Sequence, residues 1–215
     1  MPGDVGSSSC KVLRRGLLAL LCATVALGIF CWFDREALLR SAANAWIVSD
    51  GLGPADAVAV FGGGIEDRPF AAAQYYRQGL VRKIVISNVG PGPAERLGVL
   101  DSSVTANRSV LLKLGVPEAD IEIFGANLKS TRQEAVALHD WARAQNVHSI
   151  IVPTESFGTR RLRWILNHEF NGDADLRVME IARSDMRPDN WWKTDVGIVS
   201  FQNEIMKYIY YRIIY

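Results

Sequence analysis

Beyond Cys31 the chain has no cysteine; Cys10, Cys22 and Cys31 are the full set. Residues 34–215 therefore offer no disulfide, no thiol nucleophile and no thiolate metal site, and they suit an oxidising compartment as well as a reducing one. An excess of charge of one sign is also lacking. The formal net charge is +1, from 24 basic and 23 acidic residues. Lys11, Arg14 and Arg15 against Asp4 place +2 before residue 34, which leaves −1 for the rest. A near-neutral remainder argues against nucleic acid, which needs a basic face. Several motifs are missing too. The glycines match neither the dinucleotide fingerprint nor a phosphate loop closing in Gly-Lys-Ser/Thr. Ser156, in Thr-Glu-Ser-Phe-Gly, lacks the flanking glycines of a nucleophile elbow. His139, His148 and His168 have no metal-ligand spacing and read as surface or helix-packing residues. There is no repeat of solenoid length and no low-complexity tract.

One long uncharged run is present. Residues 16–33, GLLALLCATVALGIFCWF, follow a basic cluster and precede Asp34, Arg35 and Glu36. At ~1.5 Å per residue they span about 27 Å, close to the hydrocarbon thickness of a bilayer. The expectation is a single transmembrane helix at 16–33, with 1–15 a cytoplasmic tail, 34–53 a helical stalk or linker, and 54–215 an α/β domain outside the cytoplasm. A cleaved signal peptide ending near Ala43-Asn44-Ala45 is the competing reading, and a buried soluble helix is a third. Phe30 directly before Cys31 argues against lipoprotein processing.

The breaker cluster Gly51-Leu52-Gly53-Pro54 opens the domain. Val58 to Phe61 is an apolar run too short for a buried helix, so it reads as a strand covered on both faces. Gly62, Gly63 and Gly64 then turn the chain into a helix over 69–79. A second strand, KIVIS at 83–87, runs into 88–93, which the prolines and glycines mark as loop. Helical spacing predicts 103–115, a short third strand 121–124, and a helix starting at Ser130 or Thr131 and reaching about Gln145. Strand 149–152, helix 158–170, strand 176–181 and a final helix 195–215 complete the pattern. Ile198, Phe201, Ile205, Ile209 and Ile213 form the predicted core face of that last helix. Alternating strands and helices imply a doubly wound, three-layer parallel sheet of about five strands.

Ligands in such sheets bind at the carboxyl ends of strands. That rule selects Gly62, Gly63, Gly64 and Arg68 after the first strand, Ser87 and Asn88 after the second, and Thr154, Ser156 and Arg161 after the fourth. Thr131 and Glu134 at a helix start join them. Glycine amides, hydroxyls, helix starts and arginines together suit a phosphate or carboxylate. Each has a plainer alternative: a tight turn for the glycines, a capping box for Ser130 with Glu134, and a solvated face for Arg160, Arg161 and Arg163. Trp191 and Trp192 either cap the pocket or pack on the sheet. No metal site is expected, and no cofactor can be named.

The order of these features resembles the YdcF/SanA/ElyC-like family, domain of unknown function 218. The resemblance covers roughly residues 55–212. It rests on GGG after the first strand, a Ser-plus-small turn after the second, Leu-Gly-Val-Pro before the third and Ser-Thr-x-x-Glu-Ala. A Thr-containing strand end leading to Arg161, and a carboxyl-terminal Trp, Glu204 and Lys207-Tyr208 pattern, complete it. It implies a Rossmann-like domain, often tethered by one helix at the bacterial inner membrane and facing the periplasm. Suspected roles lie in envelope, peptidoglycan or exopolysaccharide assembly. Gly158 stands where the family often has a histidine, and Thr105 where an acid is usual, so catalysis is expected less than binding. The leading expectation is a membrane-anchored domain that binds an anionic small molecule or a lipid-linked saccharide phosphate. The alternatives are a non-catalytic scaffold for other envelope proteins and a nucleotide-dependent enzyme.

Overall fold

The computed structural model describes residues 5–183 and 186–215. Five strands lie in one sheet in the order β3-β2-β1-β4-β5, with every pair parallel. They are β1 (Ala57–Val60), β2 (Lys83–Val89), β3 (Ile121–Leu128), β4 (Ser149–Glu155) and β5 (Asp175–Ile181). This is a Rossmann-like α/β domain, and its strand order reverses between β1 and β4.

Alternation along β1 explains the layers. Val58 and Val60 face a core with Ala72, Ala73 and Tyr75 of α3 (Arg68–Arg77) and Leu111 of α5 (Ser103–Lys113); Ala59 and Phe61 face a second core. That second core holds Ala135 and Leu138 of α6 (Thr131–Gln145) and Ile165 and Leu166 of α7 (Thr159–Phe170). All four residues of β1 are fully buried, as a central parallel strand requires.

Helix α1 (Val5–Phe33) contains a 20-residue window, Arg14–Phe33, that is long and apolar enough to cross a membrane and is not buried against the protein. Helix α2 (Arg35–Trp46) follows it. Rather than standing free as a stalk, α2 and the chain after it are docked on the domain. Ala43 is fully buried in a cluster with Phe157, Met186, Trp191 and Phe201. Trp46 Nε1 donates to the Phe157 carbonyl at 2.9 Å, and Val48 N donates to Thr159 Oγ1 at 3.0 Å. Asp50 pairs with Arg163 and accepts from Val178 N. Trp191 belongs to this cluster, so it packs rather than capping the pocket.

Three sequence expectations are corrected. Strand β2 continues through Asn88 and Val89, and a short helix α4 (Pro93–Arg96) follows, where 88–93 read as irregular. Strand β3 is eight residues long instead of four. Gly125 and Asn127 have positive φ, which lets β3 bulge and pair Leu128 with Val89 beyond the register shift. The third correction is the face of α8 (Asp195–Ile214). Gly197, Phe201, Glu204 and Tyr211 are its buried residues, while Ile209 and Ile213 are 44% and 75% exposed. Ile198, Phe201 and Ile205 of the predicted face do pack in the core, so apolar periodicity fails only in the second half of the helix, and it omits Glu204 because that buried residue is charged.

Candidate functional site

A polar cavity of about 330 Å³ opens at the point where strand order reverses. Phe61 and Gly62 after β1 form one wall, and Pro153, Thr154 and Glu155 of β4 form another. Helix α6 contributes Thr131 and Glu134, α7 contributes Arg161, and α8 contributes Ser200, Glu204 and Lys207.

Two arginine forks organise the walls. Arg68 holds Glu155 through Nε at 3.1 Å and Nη2 at 2.6 Å, and its Nη1 donates to the Gly62 carbonyl at 2.7 Å. Arg161, from α7, holds Glu204 through Nε at 2.6 Å and Nη2 at 3.1 Å, and its Nη1 donates to Thr131 Oγ1 at 2.9 Å. Both geometries are bidentate, the form in which guanidinium and carboxylate fit best. Lys207 Nζ reaches Glu204 at 3.1 Å from a side chain that is 56% exposed. The arginines are therefore already paired, which sequence reasoning did not foresee.

Glu134 is the unusual acid. Ser130 caps α6 by accepting from Gln133 N, and Gln133 Oε1 accepts from Lys129 N, so Gln133 does the capping that Glu134 was expected to share. Glu134 turns inward instead, 6% exposed. Its Oε1 accepts from Gly62 N at 2.6 Å and Ser87 Oγ at 2.7 Å, while Oε2 has no hydrogen-bond donor among the described residues. Burial pushes its carboxyl above the usual glutamate value, against the opposing pull of Ser87, Gly62, Arg68 and Arg161. Glu155 goes the other way. Burial raises it, but the Arg68 charge and hydrogen bonds outweigh that and hold it below the usual range.

The glycine turn serves this framework more than it lines the cavity. Gly62 does line it, and a Cβ there would overlap the Val89 side chain and crowd Glu134. Gly63 and Gly64 have φ of +80° and +57°, which favours glycine, and Gly64 lies against the Arg68–Glu155 pair. Of the residues singled out from sequence, Gly62, Arg68, Thr131, Glu134, Thr154 and Arg161 are brought together on the cavity wall. Gly63, Gly64, Asn88 and Ser156 are not on it, and Ser87 stands behind Glu134. Ser156 is buried with an unpartnered hydroxyl. Glu155 fell within the stretch chosen after the fourth strand without being singled out, Ser200 and Met186 were not chosen, and Glu204 and Lys207 were visible only through the family pattern.

Gly158 also lines the cavity. A Cβ on it would sit 3.1 Å from Thr154 Oγ1 and 3.8 Å from Glu204 Oε2, so a side chain at this position points at the two polar walls. Thr105, on α5, is not among the lining residues. No histidine lines the cavity: His139 meets Asp173, and His168 stacks on Trp164. Among the described residues no group of three His, Cys, Asp or Glu side chains is placed to hold a metal ion.

No protein family, no curated protein and no solved structure matches the chain. The site is therefore read from its own geometry. Three cations, Arg68, Arg161 and Lys207, face the carboxyls of Glu155, Glu204 and Glu134. While Glu134 is protonated the cavity carries one excess positive charge; once it ionises, the charges balance.

Proposed function

We propose that this chain is a membrane-anchored domain of the bacterial inner membrane, facing the periplasm, that binds an anionic small molecule or lipid-linked saccharide phosphate in envelope polysaccharide assembly. The observation that carries the binding reading is the chemistry of the cavity wall, where Arg68, Arg161 and Lys207 stand beside the Gly62 turn and the hydroxyls of Thr131 and Ser200. Oε2 of Glu134, the hydroxyls of Thr131 and Ser200, and the Lys207 ammonium supply hydrogen-bonding groups on the wall. The volume, about 330 Å³, is at the small end for ligand pockets and suits one sugar-sized or phosphate-sized group.

The anchor reading is supported by Arg14–Phe33, and the outward direction by the basic residues that precede it. The resemblance to the YdcF/SanA/ElyC-like family supports the envelope role. A reporter active only in the cytoplasm, fused after Tyr215, is expected to be silent, and a strong signal would reject the topology. For the ligand, native mass spectrometry of the full chain released from membranes is expected to find a copurifying phosphorylated species in wild type that Lys207→Ala has lost.

A scaffold role is the second reading. The outer end of α8 leaves Met206, Tyr210, Ile213 and Ile214 more than half exposed, a face that another envelope protein could cover. Normal envelope function with a blocked cavity would favour that reading over ligand binding.

A further inference from the structure

Helix α8 buries one face and carries a second apolar stripe that the domain does not use. Its buried residues are Gly197, Phe201, Glu204 and Tyr211. Val196, Val199, Asn203, Met206, Tyr210 and Ile213 follow one another at steps of three and four, and all of them are exposed. At ~3.6 residues per turn this stripe lies roughly opposite the buried face, where a solvated helix is polar. Here every member but Asn203 is apolar, and each of those is more than half exposed.

The spacing is that of a heptad repeat, with Val196, Asn203 and Tyr210 at position a and Val199, Met206 and Ile213 at position d. That is the seam of a two-stranded coiled coil. A single asparagine at a central a position is the device that fixes register in such pairs, because it meets its own counterpart when the helices run parallel. The seam runs for about five turns, ~27 Å along the helix axis. With Ile209, Ile214 and Tyr215 beside it, it exposes several hundred Å² of apolar side chain, approaching the ~800 Å² that each partner brings to a standard interface. A free pair of helices this short is marginal, but each is already held in its own domain by Phe201, Glu204 and Tyr211, so pairing does not have to nucleate the helix.

We propose that α8 pairs in parallel with α8 of a second copy of this chain, about a two-fold axis, along the seam from Val196 to Ile213. The residues flanking the seam suit this partner. In a parallel pair, position g of one helix meets position e of the next heptad on the other. Asp195 then meets Ser200 of the partner subunit, Gln202 meets the partner subunit's Lys207, and Ile209 meets the partner subunit's Ile214. Two of these pairs can hydrogen-bond, one is apolar, and none brings like charges together. Ser200, Glu204 and Lys207 line the cavity on the flank beside the seam, so the second copy borders the cavity rim at Lys207. The pairing does not depend on what the cavity binds.

The test uses the full chain in membranes, with Cys10, Cys22 and Cys31 replaced by serine so that single cysteines can be placed on α8. Val196→Cys and Tyr210→Cys, near opposite ends of the seam, should each form a disulfide with the same position of the second copy under mild oxidation, as parallel pairing requires. Arg212→Cys, exposed on the other side of the helix, should stay monomeric. Analytical ultracentrifugation of the solubilised chain should find twice the monomer mass. Met206→Glu should return it to the monomer with the fold intact by circular dichroism. Seam positions are exposed in the single chain, so substitutions there act on the pairing and not on the domain's own stability. Crosslinks only to proteins of other mass, or no crosslinks, overturn the proposal. A dimer that survives Met206→Glu also overturns it, because the copies would then be held elsewhere, as through α1.

Discussion

Glu134 is the residue on which the chemistry of the cavity turns. Because its folded-state carboxyl is raised by burial, protonation favours the native state. Its contribution to stability is fully present below the unfolded value of 4.5 and is lost as pH rises through the folded one. Anion binding follows the same sign, since ionised Glu134 cancels the excess positive charge. Affinity for inorganic phosphate, corrected for the probe's own ionisation, should fall as pH rises through that range, and Glu134→Gln should flatten the profile; calorimetric titration across pH checks both. Glu155 has the opposite sign. It is held below the ordinary carboxylate range, so its contribution is present above the unfolded value and lost as pH falls.

Arg161 and Glu204 make a second prediction at the same scale. Both are buried, at 9% and 8% exposure. Removing one leaves the other desolvated, which costs about 3–5 kcal/mol in comparable pairs. Arg161→Ala should fall at the low end of that range because Lys207 still reaches Glu204. The double change Arg161→Ala with Glu204→Ala should recover part of the loss, so chemical denaturation of the four proteins gives a favourable coupling. The pair was hard to read in the sequence because 43 positions separate the partners. An arginine three residues into a helix looks like a solvated one.

At the scale of elements, what could be read in the sequence depended on whether local chemistry decided the outcome. The run at Val58–Phe61 and the glycines after it were legible because burial on both faces and a turn with positive φ leave few alternatives. The carboxyl-end rule then found the walls after β1 and β4, but not the wall from α8. On α8 apolar spacing found the packed half, Ile198, Phe201 and Ile205, and failed at Ile209 and Ile213, where the buried residues are Glu204 and Tyr211 instead. Strand β3 looked shorter than it is because its second half is polar and carries Gly125 and Asn127 in the left-handed region. These assignments predict unequal costs along α8. Phe201→Ala should destabilise by about 3–5 kcal/mol, since its ring packs against Trp46, Phe157 and Trp191. Ile213→Ser, at an exposed position, should stay within about 0.5 kcal/mol of wild type in thermal denaturation.

At the scale of the whole molecule, the docking of α2 joins the apolar helix to the cavity. Residues 34–53 read as a stalk in the sequence because a breaker cluster ends them and their amphipathic face is short. The structure packs Ala43 against Phe157 and Phe201, and Trp46 against Arg160 of α7 and Phe201 and Tyr208 of α8, two of the helices that carry cavity walls.

The central claim is that the cavity at the strand-order reversal binds an anionic group. Calorimetric titration of the full chain with glucose 1-phosphate tests it most directly, using wild type, Lys207→Ala and Gly158→Ala. Lys207 is exposed enough to be removed without unfolding the domain. Gly158 has ordinary helical backbone angles, and a methyl there would intrude between Thr154 and Glu204. Saturable one-to-one binding in wild type, weakened at least tenfold in both variants while their melting temperatures hold, is the predicted result. No binding in wild type, or equal binding in all three, would contradict the account.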